Sequence, residues 1–307
     1  MLVALTIDAV IGWPQALYAR IGHPVTWIGA IIAALDRHIN REASSDLVRR
    51  FAGILATLCV IGLAIGVGVG LTALLPRGWI GIVLTGLLAW PLVAVRSMHD
   101  HVDAVARPLI AGDLTAARLA VSMIVGRDPD RLDEAGVARA ALESLAENTS
   151  DGIVAPLVWG ALFGLPGIVG YKAINTLDSM IGHRTVRHEA FGWASARIDD
   201  LANLIPARLT GLVFALASDR PRLAISTMLR DAHQHRSPNA GWPEAAMAGA
   251  LGVRLSGPRA YGDKVSAEPW LNGAAPDPVA RDIARGLAIY RRAMVAIAIV
   301  LLLLAIV

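Results

Sequence analysis

Carboxylates and amides concentrate in the sequence ESLAENTSDG, which runs from Glu143 to Gly152. A helix through this stretch places Glu143 and Glu147 four residues apart on one face. Asn148 and Asp151 then lie around its end. Carboxylates paired in this way can hold Mg²⁺ or accept a proton, as acidic groups do in phosphoryl chemistry. The alternative is a solvated helix end capped by its own polar side chains.

A second constellation spaces a lysine, an amide and a carboxylate three residues apart, at Lys172, Asn175 and Asp178. This spacing lines one side of a helix. Polar groups beside apolar sequence are costly unless they are paired or hydrated, which favours a functional role. His183 and Arg184 follow and supply cations that could hold a phosphate or a carboxylate. The alternative is a belt of basic side chains reaching toward a membrane interface.

The third constellation lies in the sequence ARIDDLANLIPAR. Asp199 and Asp200 cannot share a helix face, whereas Asp199 and Asn203 can because they are four residues apart. Arg197 precedes these carboxylates and can neutralise them, and Arg208 closes the motif. A local ion pair therefore explains part of this pattern without any function.

A polar loop over residues 237–242 contains Asn239. It leads through Pro243 and Glu244 into a helix predicted to begin at Ala245. Proline at the first helical position beside an acid is typical of a helix N-terminus, which can bind an anion. Structural capping explains the same pattern equally well.

The elements that must position these groups belong to a membrane protein. Hydrophobic residues make up 55% of the chain and charged residues only 17%, and the mean hydropathy is +0.54. A helix needs about 20 apolar residues to cross the hydrocarbon core. The sequence predicts spans near residues 51–75, 79–95 and 293–307. We therefore predict an all-α, multi-pass integral membrane protein forming a single membrane-embedded domain over residues 1–307.

Two further apolar segments, 153–171 and 201–217, either span or re-enter the membrane. Glycine and proline at the centre of the first segment, where a helix would break, favour a segment that enters and returns. The basic residues predict that regions 96–150 and 220–292 face the cytoplasm and form a helical cap. Glycines 62, 66 and 70 have the four-residue spacing of a helix-packing face.

The composition also excludes several classes of protein. The net charge of +3 is modest and the arginines are dispersed, which argues against nucleic-acid binding. Cys59 is the only cysteine, so no disulfide can form within the chain. The sequence contains no GxxxxGK[ST] phosphate loop, HExxH motif or GxSxG motif.

Six motifs, in order along nearly the whole chain, resemble the membrane-bound adenosylcobinamide-phosphate synthases of cobalamin biosynthesis. They are HPVTWIG, VGRD, ESLAENTSDGIVAPL, NTLDSMIGHR, ARIDDLANLIPARLTGL and SPNAGWPEAAMAGALGVRL. The resemblance implies an ATP-dependent amide ligase that joins aminopropanol or its phosphate to a carboxylate of adenosylcobyric acid. It also implies Mg²⁺, membrane lipid and other cobalamin-assembly enzymes as partners. The expected location is the inner (cytoplasmic) membrane, with the active site facing the cytoplasm.

The resemblance also suggests roles for residues of the three constellations and of the polar loop. The expected catalytic residues are Glu143, Glu147, Asp151, Lys172 and Asp178. The expected substrate-binding residues are Asn148, Asn175, His183, Arg184, Arg197, Asn203, Arg208 and Asn239. The expected Mg²⁺ ligands are Asp151, Asp178, Asp199 and Asp200.

The chain departs from the family pattern at two places. Gly12, Trp13 and Pro14 stand where relatives read GDP, so the acid of that motif is absent, and His183 stands where tyrosine is common. The competing hypothesis is a corrinoid-binding membrane transporter or carrier, because broken helices with buried charge also describe substrate pathways. A lipid-headgroup transferase is a third option, but its characteristic spacing of acidic residues is missing.

Overall fold

The computed structural model describes residues 1–126, 129–261, 264–266 and 268–306. Arg127 and Asp128 of the VGRD motif lie outside the described residues. The helices are α1 (Leu2–Ile11), α2 (Gln15–Ile21), α3 (Pro24–Ile39), α4 (Asp46–Leu74), α5 (Trp79–Ala89), α6 (Val95–Ile110), α7 (Leu114–Ser122), α8 (Glu134–Thr149), α9 (Ala155–Leu177), α10 (Trp193–Ala202), α11 (Leu204–Ala217), α12 (Pro221–Asp231), α13 (Gly241–Leu251) and α14 (Ala280–Ile306).

Short helical turns and strands complete the described structure. Three 3₁₀ turns cover Trp90–Leu92, Pro129–Arg131 and Ala232–Gln234, and two π-helical turns cover Ser150–Val154 and Asp178–Gly182. The strands are β1 (Leu255–Ser256), β2 (Arg259–Tyr261), β3 (Lys264–Ser266) and β4 (Trp270–Leu271). β1 pairs with β4, and β2 pairs with β3, both antiparallel. These strands were not predicted within region 220–292.

Four helical segments of the described chain are long and apolar enough to cross a membrane. They are Asp46–Leu74, Trp79–Ile110, Glu134–Gly182 and Ala280–Ile306. Two bent helix pairs, Leu2–Ile11 with Gln15–Ile39 and Trp193–Ala202 with Leu204–Ala217, raise the number to as many as six. The prediction of an all-α, multi-pass membrane protein is confirmed.

The chain divides into two compact units. Unit 1 comprises Met1–Ala94 and Ala155–Asn203, and unit 2 comprises Val95–Val154 and Leu204–Val307. Both units combine segments that are distant in sequence. Each unit therefore contains part of the predicted polar motifs.

Unit 1 has its core where α4 packs against α3, α9 and α10. The buried side chains of this core include Ile32, Val60, Leu177 and Phe191. α4 approaches its neighbours closely at two glycines: an added Cβ on Gly53 would lie 1.8 Å from the Phe191 carbonyl oxygen, and one on Gly68 would lie 2.6 Å from Pro166 Cα. Only glycine fits such contacts.

The predicted glycine packing face on α4 is wrong within the described chain. An added Cβ on Gly62, Gly66 or Gly70 would meet nothing within 4 Å. Their spacing matches a packing motif, but the neighbouring backbones approach α4 at other positions.

The predicted break in segment 153–171 is confirmed at Gly164, two residues before Pro166. Gly164 has a φ of 66°, which interrupts the helical backbone inside α9. Glycine adopts this left-handed conformation readily, whereas other residues do so at a cost. The re-entrant course of the segment stays a prediction.

Unit 2 has its core between α6, α8, α11, α13 and α14. Its buried side chains include Val102, Leu142, Met247 and Leu287. The N-terminus of α13 corrects a predicted boundary, because the helix begins at Gly241 rather than Ala245. The N–H of Glu244 already bonds to the carbonyl oxygen of Ala240, and Pro243 is tolerated because it lies in the first helical turn.

Candidate functional site

The carboxylate of Asp178 lies where α9 changes into a π-helical turn. Such turns are rare and often mark functional sites. Asp178 interacts electrostatically with His183, Arg197 and Asp200. Its neighbourhood therefore combines a second carboxylate with two groups that can carry positive charge.

Asp200 belongs to the same group of charges. Arg197 Nη1 lies 2.8 Å from Asp200 Oδ2, across one turn of α10. Arg184 also interacts electrostatically with Asp200. We define these five residues, Asp178, His183, Arg184, Arg197 and Asp200, as the Asp178 cluster.

Gly182 helps to position the Asp178 carboxylate. An added Cβ on Gly182 would lie only 2.0 Å from Asp178 Oδ1 and 2.8 Å from its Cγ. Any larger residue would therefore displace the carboxylate. The glycine lies within the NTLDSMIGHR motif but was not singled out from the sequence.

Asp199 faces a different set of partners. Asn203 Nδ2 donates a hydrogen bond to Asp199 Oδ2 at 3.0 Å, as their four-residue spacing predicted. Tyr171 Oη donates to Asn203 Oδ1 at 2.8 Å, and both Tyr171 and Asn203 are buried. The Asn203 amide is thus held by one partner at each end.

Lys172 is buried in α9, with only 9% of its surface exposed. It interacts electrostatically with His23, which caps the N-terminus of α3 by accepting a hydrogen bond from the Val25 N–H. Asn175 is partly buried on the same helix, and its carbonyl oxygen accepts from Ser179 Oγ. The structure thus links the HPVTWIG motif to the lysine of the second constellation.

The predicted acidic motif on α8 lies in unit 2. Glu143 is 4% exposed and accepts a hydrogen bond from the Ser256 N–H at 2.7 Å. Glu147 and Asn148 are exposed, and the Asn148 amide donates to the Ser144 carbonyl and hydroxyl oxygens. Asp151 is partly buried in the following π-helical turn. The two glutamates therefore occupy different environments.

Unit 2 also brings Arg208 close to the loop that carries Asn239. The Arg208 guanidinium lies over the Trp242 ring, 4.3 Å from its centroid. The backbone N–H of Trp242 donates a hydrogen bond to the Asn239 carbonyl oxygen, and Asn239 is 6% exposed. His235 and Glu244 are buried beside this loop, 3.7 Å apart between Nε2 and Oε1.

A third group of charges in unit 2 surrounds Trp270. The guanidinium groups of Arg139 and Arg254 both lie over the Trp270 ring and both pair with Asp277. The hydrogen bond from Arg254 lowers the pKa of the Asp277 carboxyl, and Arg139 adds to this effect against the opposing influence of partial burial.

The predicted metal ligands divide among these groups. Asp178 and Asp200 share the Asp178 cluster, Asp199 binds Asn203, and Asp151 lies in unit 2. Among the described residues, no group of three or more histidine, cysteine, aspartate or glutamate side chains could hold a metal ion. The Mg²⁺ site therefore stays a prediction.

Besides Gly182, three residues of these arrangements were missed from the sequence. Tyr171 orients Asn203, His23 faces Lys172, and Ser256 holds Glu143 through its backbone. His23 lies inside a motif quoted for the resemblance and Ser256 directly follows one, whereas Tyr171 closes an apolar run. Among these three, position within a quoted motif was thus a signal for His23 alone.

The fold and these sites define a helical, multi-pass membrane protein whose unit 1 holds a carboxylate pair among cationic side chains. The chain belongs to the CobD/Cbib protein family, whose model matches residues 1–290.

Curated relatives cover almost the whole chain. A protein named "Cobalamin biosynthesis protein CobD" from Rhodobacter capsulatus is 67% identical over 306 residues, covering 100% of this chain and 96% of its own length. Proteins of the same name from a Sinorhizobium species and Brucella suis are each 47% identical over 296 residues. They cover 94% of this chain and 92% and 90% of their own lengths. No solved structure matches the chain.

Proposed function

We propose that this protein acts in cobalamin biosynthesis as an adenosylcobinamide-phosphate synthase. It would join (R)-1-aminopropan-2-ol, or its O-phosphate, to the free carboxylate of adenosylcobyric acid through an amide bond. The names of the relatives and the family match over residues 1–290 support the pathway. The observation that carries the ligase assignment is the Asp178 cluster, because paired carboxylates among cations suit phosphoryl transfer.

The chemistry requires activation, because a carboxylate is a poor acylating agent. In the proposed reaction a carboxylate oxygen attacks the γ-phosphorus of ATP, forming an acyl phosphate and releasing ADP. The amine nitrogen then attacks the acyl carbon and loses a proton, and inorganic phosphate departs with one carboxylate oxygen. ATP and Mg²⁺ enter this scheme as substrates rather than as resident cofactors.

The residues of unit 1 would divide this work. Asp178 and Asp200 would contact the Mg²⁺ carried by the ATP phosphates. Arg184 and Arg197 would neutralise the charge that builds up on the transferred phosphoryl group. Lys172 lies three helical positions before Asn175 on α9, so these two side chains would face a substrate carboxylate or amide.

The predicted residues of unit 2 would bind the corrinoid and the amino alcohol. The catalytic roles expected for Glu143, Glu147 and Asp151, and the Mg²⁺-ligand role expected for Asp151, stay predictions. We place the enzyme in the inner (cytoplasmic) membrane with its active site facing the cytoplasm, on the distribution of basic residues. Membrane lipid and other cobalamin-assembly enzymes are its proposed partners.

The test is an assay of the full-length protein in detergent with adenosylcobyric acid, ATP and Mg²⁺. Aminopropanol and aminopropanol phosphate are supplied in separate reactions, and mass spectrometry detects the amide product. We expect product together with ADP, and its loss in Asp178→Asn. Asp46→Asn is the matched control, because Asp46 is an exposed carboxylate of the same unit.

A corrinoid carrier is the second candidate, favoured by the break at Gly164 within a membrane helix that also bears Lys172. The same preparation distinguishes the two. Tight corrinoid binding without amide formation under any condition would support the carrier and contradict the ligase.

A further inference from the structure

A small cavity of about 70 Å³ lies within unit 2, outside the sites described above. Its walls come from the loop after α11, the last turn of α13 and the first half of α14. Three arginines and one aspartate line it, together with aliphatic side chains. We call it the arginine crevice, after Arg220, Arg285 and Arg292, which line it with Asp219.

The geometry of α14 directs two of the arginines to the same side. Arg285 and Arg292 are seven residues apart, which is close to two helical turns, and the lining residue Ile289 lies between them. Arg220 approaches from the loop after α11. The crevice is therefore built from separate elements rather than from one helix terminus.

Two of the three arginines already have acidic partners. Arg292 Nη1 lies 2.7 Å from Asp219 Oδ1, and Arg285 Nη1 lies 2.7 Å from Asp282 Oδ1. Within the described part of the chain, the Arg220 guanidinium makes no hydrogen bond or ion pair. Three cations and two carboxylates leave one positive charge in excess.

Glycine at position 252 makes room for the Arg220 side chain. Gly252 ends α13 with a left-handed φ of 73°, and an added Cβ there would lie 2.7 Å from Arg220 Nη1. The guanidinium thus lies against the backbone at the end of α13. The uncompensated charge therefore lies at the crevice, whose lining includes Arg220.

The crevice lies where apolar helical surface begins. Arg291 and Arg292 are the last charged residues before the uncharged end of α14, where Val295 is 60% exposed. On α11, Leu212 and Leu216 are exposed as well. Basic side chains at the end of a membrane helix typically lie at the depth of the lipid headgroups.

We propose that the arginine crevice binds the phosphate of an anionic phospholipid. Arginine suits phosphate because its planar donors match two phosphate oxygens. The volume is far below the roughly 300 Å³ of typical small-molecule pockets, so it would admit a phosphate group rather than a nucleotide or a corrinoid. The excess charge favours anionic lipids over zwitterionic ones, whose own cation offsets the phosphate. This proposal does not rest on the proposed ligase activity.

The test compares lipid binding by the full-length protein in detergent. Phosphatidylglycerol, phosphatidylcholine or inorganic phosphate is titrated while the apparent Tm and the bound lipid in native mass spectra are recorded. We expect phosphatidylglycerol to bind most tightly, and Arg220→Gln to weaken that binding about fivefold, the effect of one basic residue near an anionic lipid surface. Arg222→Gln is the matched control, because Arg222 is exposed and does not line the crevice.

Three results would overturn the proposal. Equal binding of the two lipids would remove the preference for anionic headgroups. If Arg220→Gln and Arg222→Gln weaken lipid binding equally, overall surface charge rather than the crevice explains the effect. Inorganic phosphate matching phosphatidylglycerol at the same concentration would make the crevice a small-anion site. If Arg220→Gln fails to fold, Arg285→Gln takes its place, with the same expectations.

Discussion

Ser256 combines two unfavourable features beside a candidate catalytic residue. Its φ is 60°, a left-handed conformation that costs a residue with a side chain about 1–2 kcal/mol. It is 1% exposed, and within the described residues its hydroxyl has no hydrogen-bond partner, which adds a cost of about 1–3 kcal/mol. The contact with Glu143 uses the backbone N–H, so it does not require the side chain.

We therefore expect Ser256→Gly to stabilise the protein while Glu143 keeps its hydrogen bond. Glycine offsets part of the gain, about 0.5–1 kcal/mol, because the unfolded chain becomes more flexible. The lower ends of the two costs and the upper end of this offset leave a net gain of about 1 kcal/mol, or a rise of about 2 °C in Tm for a chain of this size.

The assay is thermal unfolding in detergent, together with ligation activity. Ser256→Ala is the control: it removes the unpaired hydroxyl but keeps the strained backbone, so it should recover only part of the gain. A lower Tm for Ser256→Gly than for the wild-type protein would refute this reasoning. A loss of activity in a stable Ser256→Gly protein would show that the hydroxyl has a role of its own.

Three further predictions concern other contacts. Gly182→Ala should displace the Asp178 carboxylate and lower the kcat of ligation about a hundredfold. Circular dichroism should show unchanged helix content. An unchanged kcat would show that Asp178 has no catalytic role. Arginine partners lower the pKa of Asp277, so the stability they add is present above about pH 4 and is lost as the pH falls further. Asp277→Asn should therefore lower the free energy of unfolding by about 1 kcal/mol near neutral pH. In denaturant titrations at several pH values, the variant should also lose less stability than the wild-type protein as the pH falls below about 4. An unaltered pH dependence of stability would contradict this. Tyr171→Phe should raise the KM for adenosylcobyric acid by removing the donor that orients Asn203, and an unchanged KM would exclude that role.

The membrane helices were predictable because their signal is physical and local. Uncharged runs of sufficient length predicted the spans near residues 51–75 and 79–95. The glycines and the proline around Gly164 predicted the break in the helix there. The packing of α4 was not predictable, since glycine spacing alone does not say which neighbour approaches. Gly53 and Gly68 make the close contacts, while the regularly spaced glycines meet open space.

The site was predictable only in its charged residues. Asp178 and Asp200 attract notice because carboxylates are costly beside lipid, and the four-residue rule correctly separated Asp199 from Asp200. Tyr171 gave no such signal, because a tyrosine in an apolar run is an ordinary membrane residue. The short strands also escaped prediction, since a two-residue strand is too short to show alternation.

Isotope transfer tests the proposed ligase most directly. Adenosylcobyric acid labelled with heavy oxygen at both oxygens of its free carboxylate is incubated with the protein, ATP, Mg²⁺ and the amino alcohol. Activation through an acyl phosphate predicts one labelled oxygen in the inorganic phosphate released with each amide formed, and ADP as the nucleotide product. Label recovered in AMP would contradict the acyl phosphate, and the absence of any amide would contradict the ligase itself.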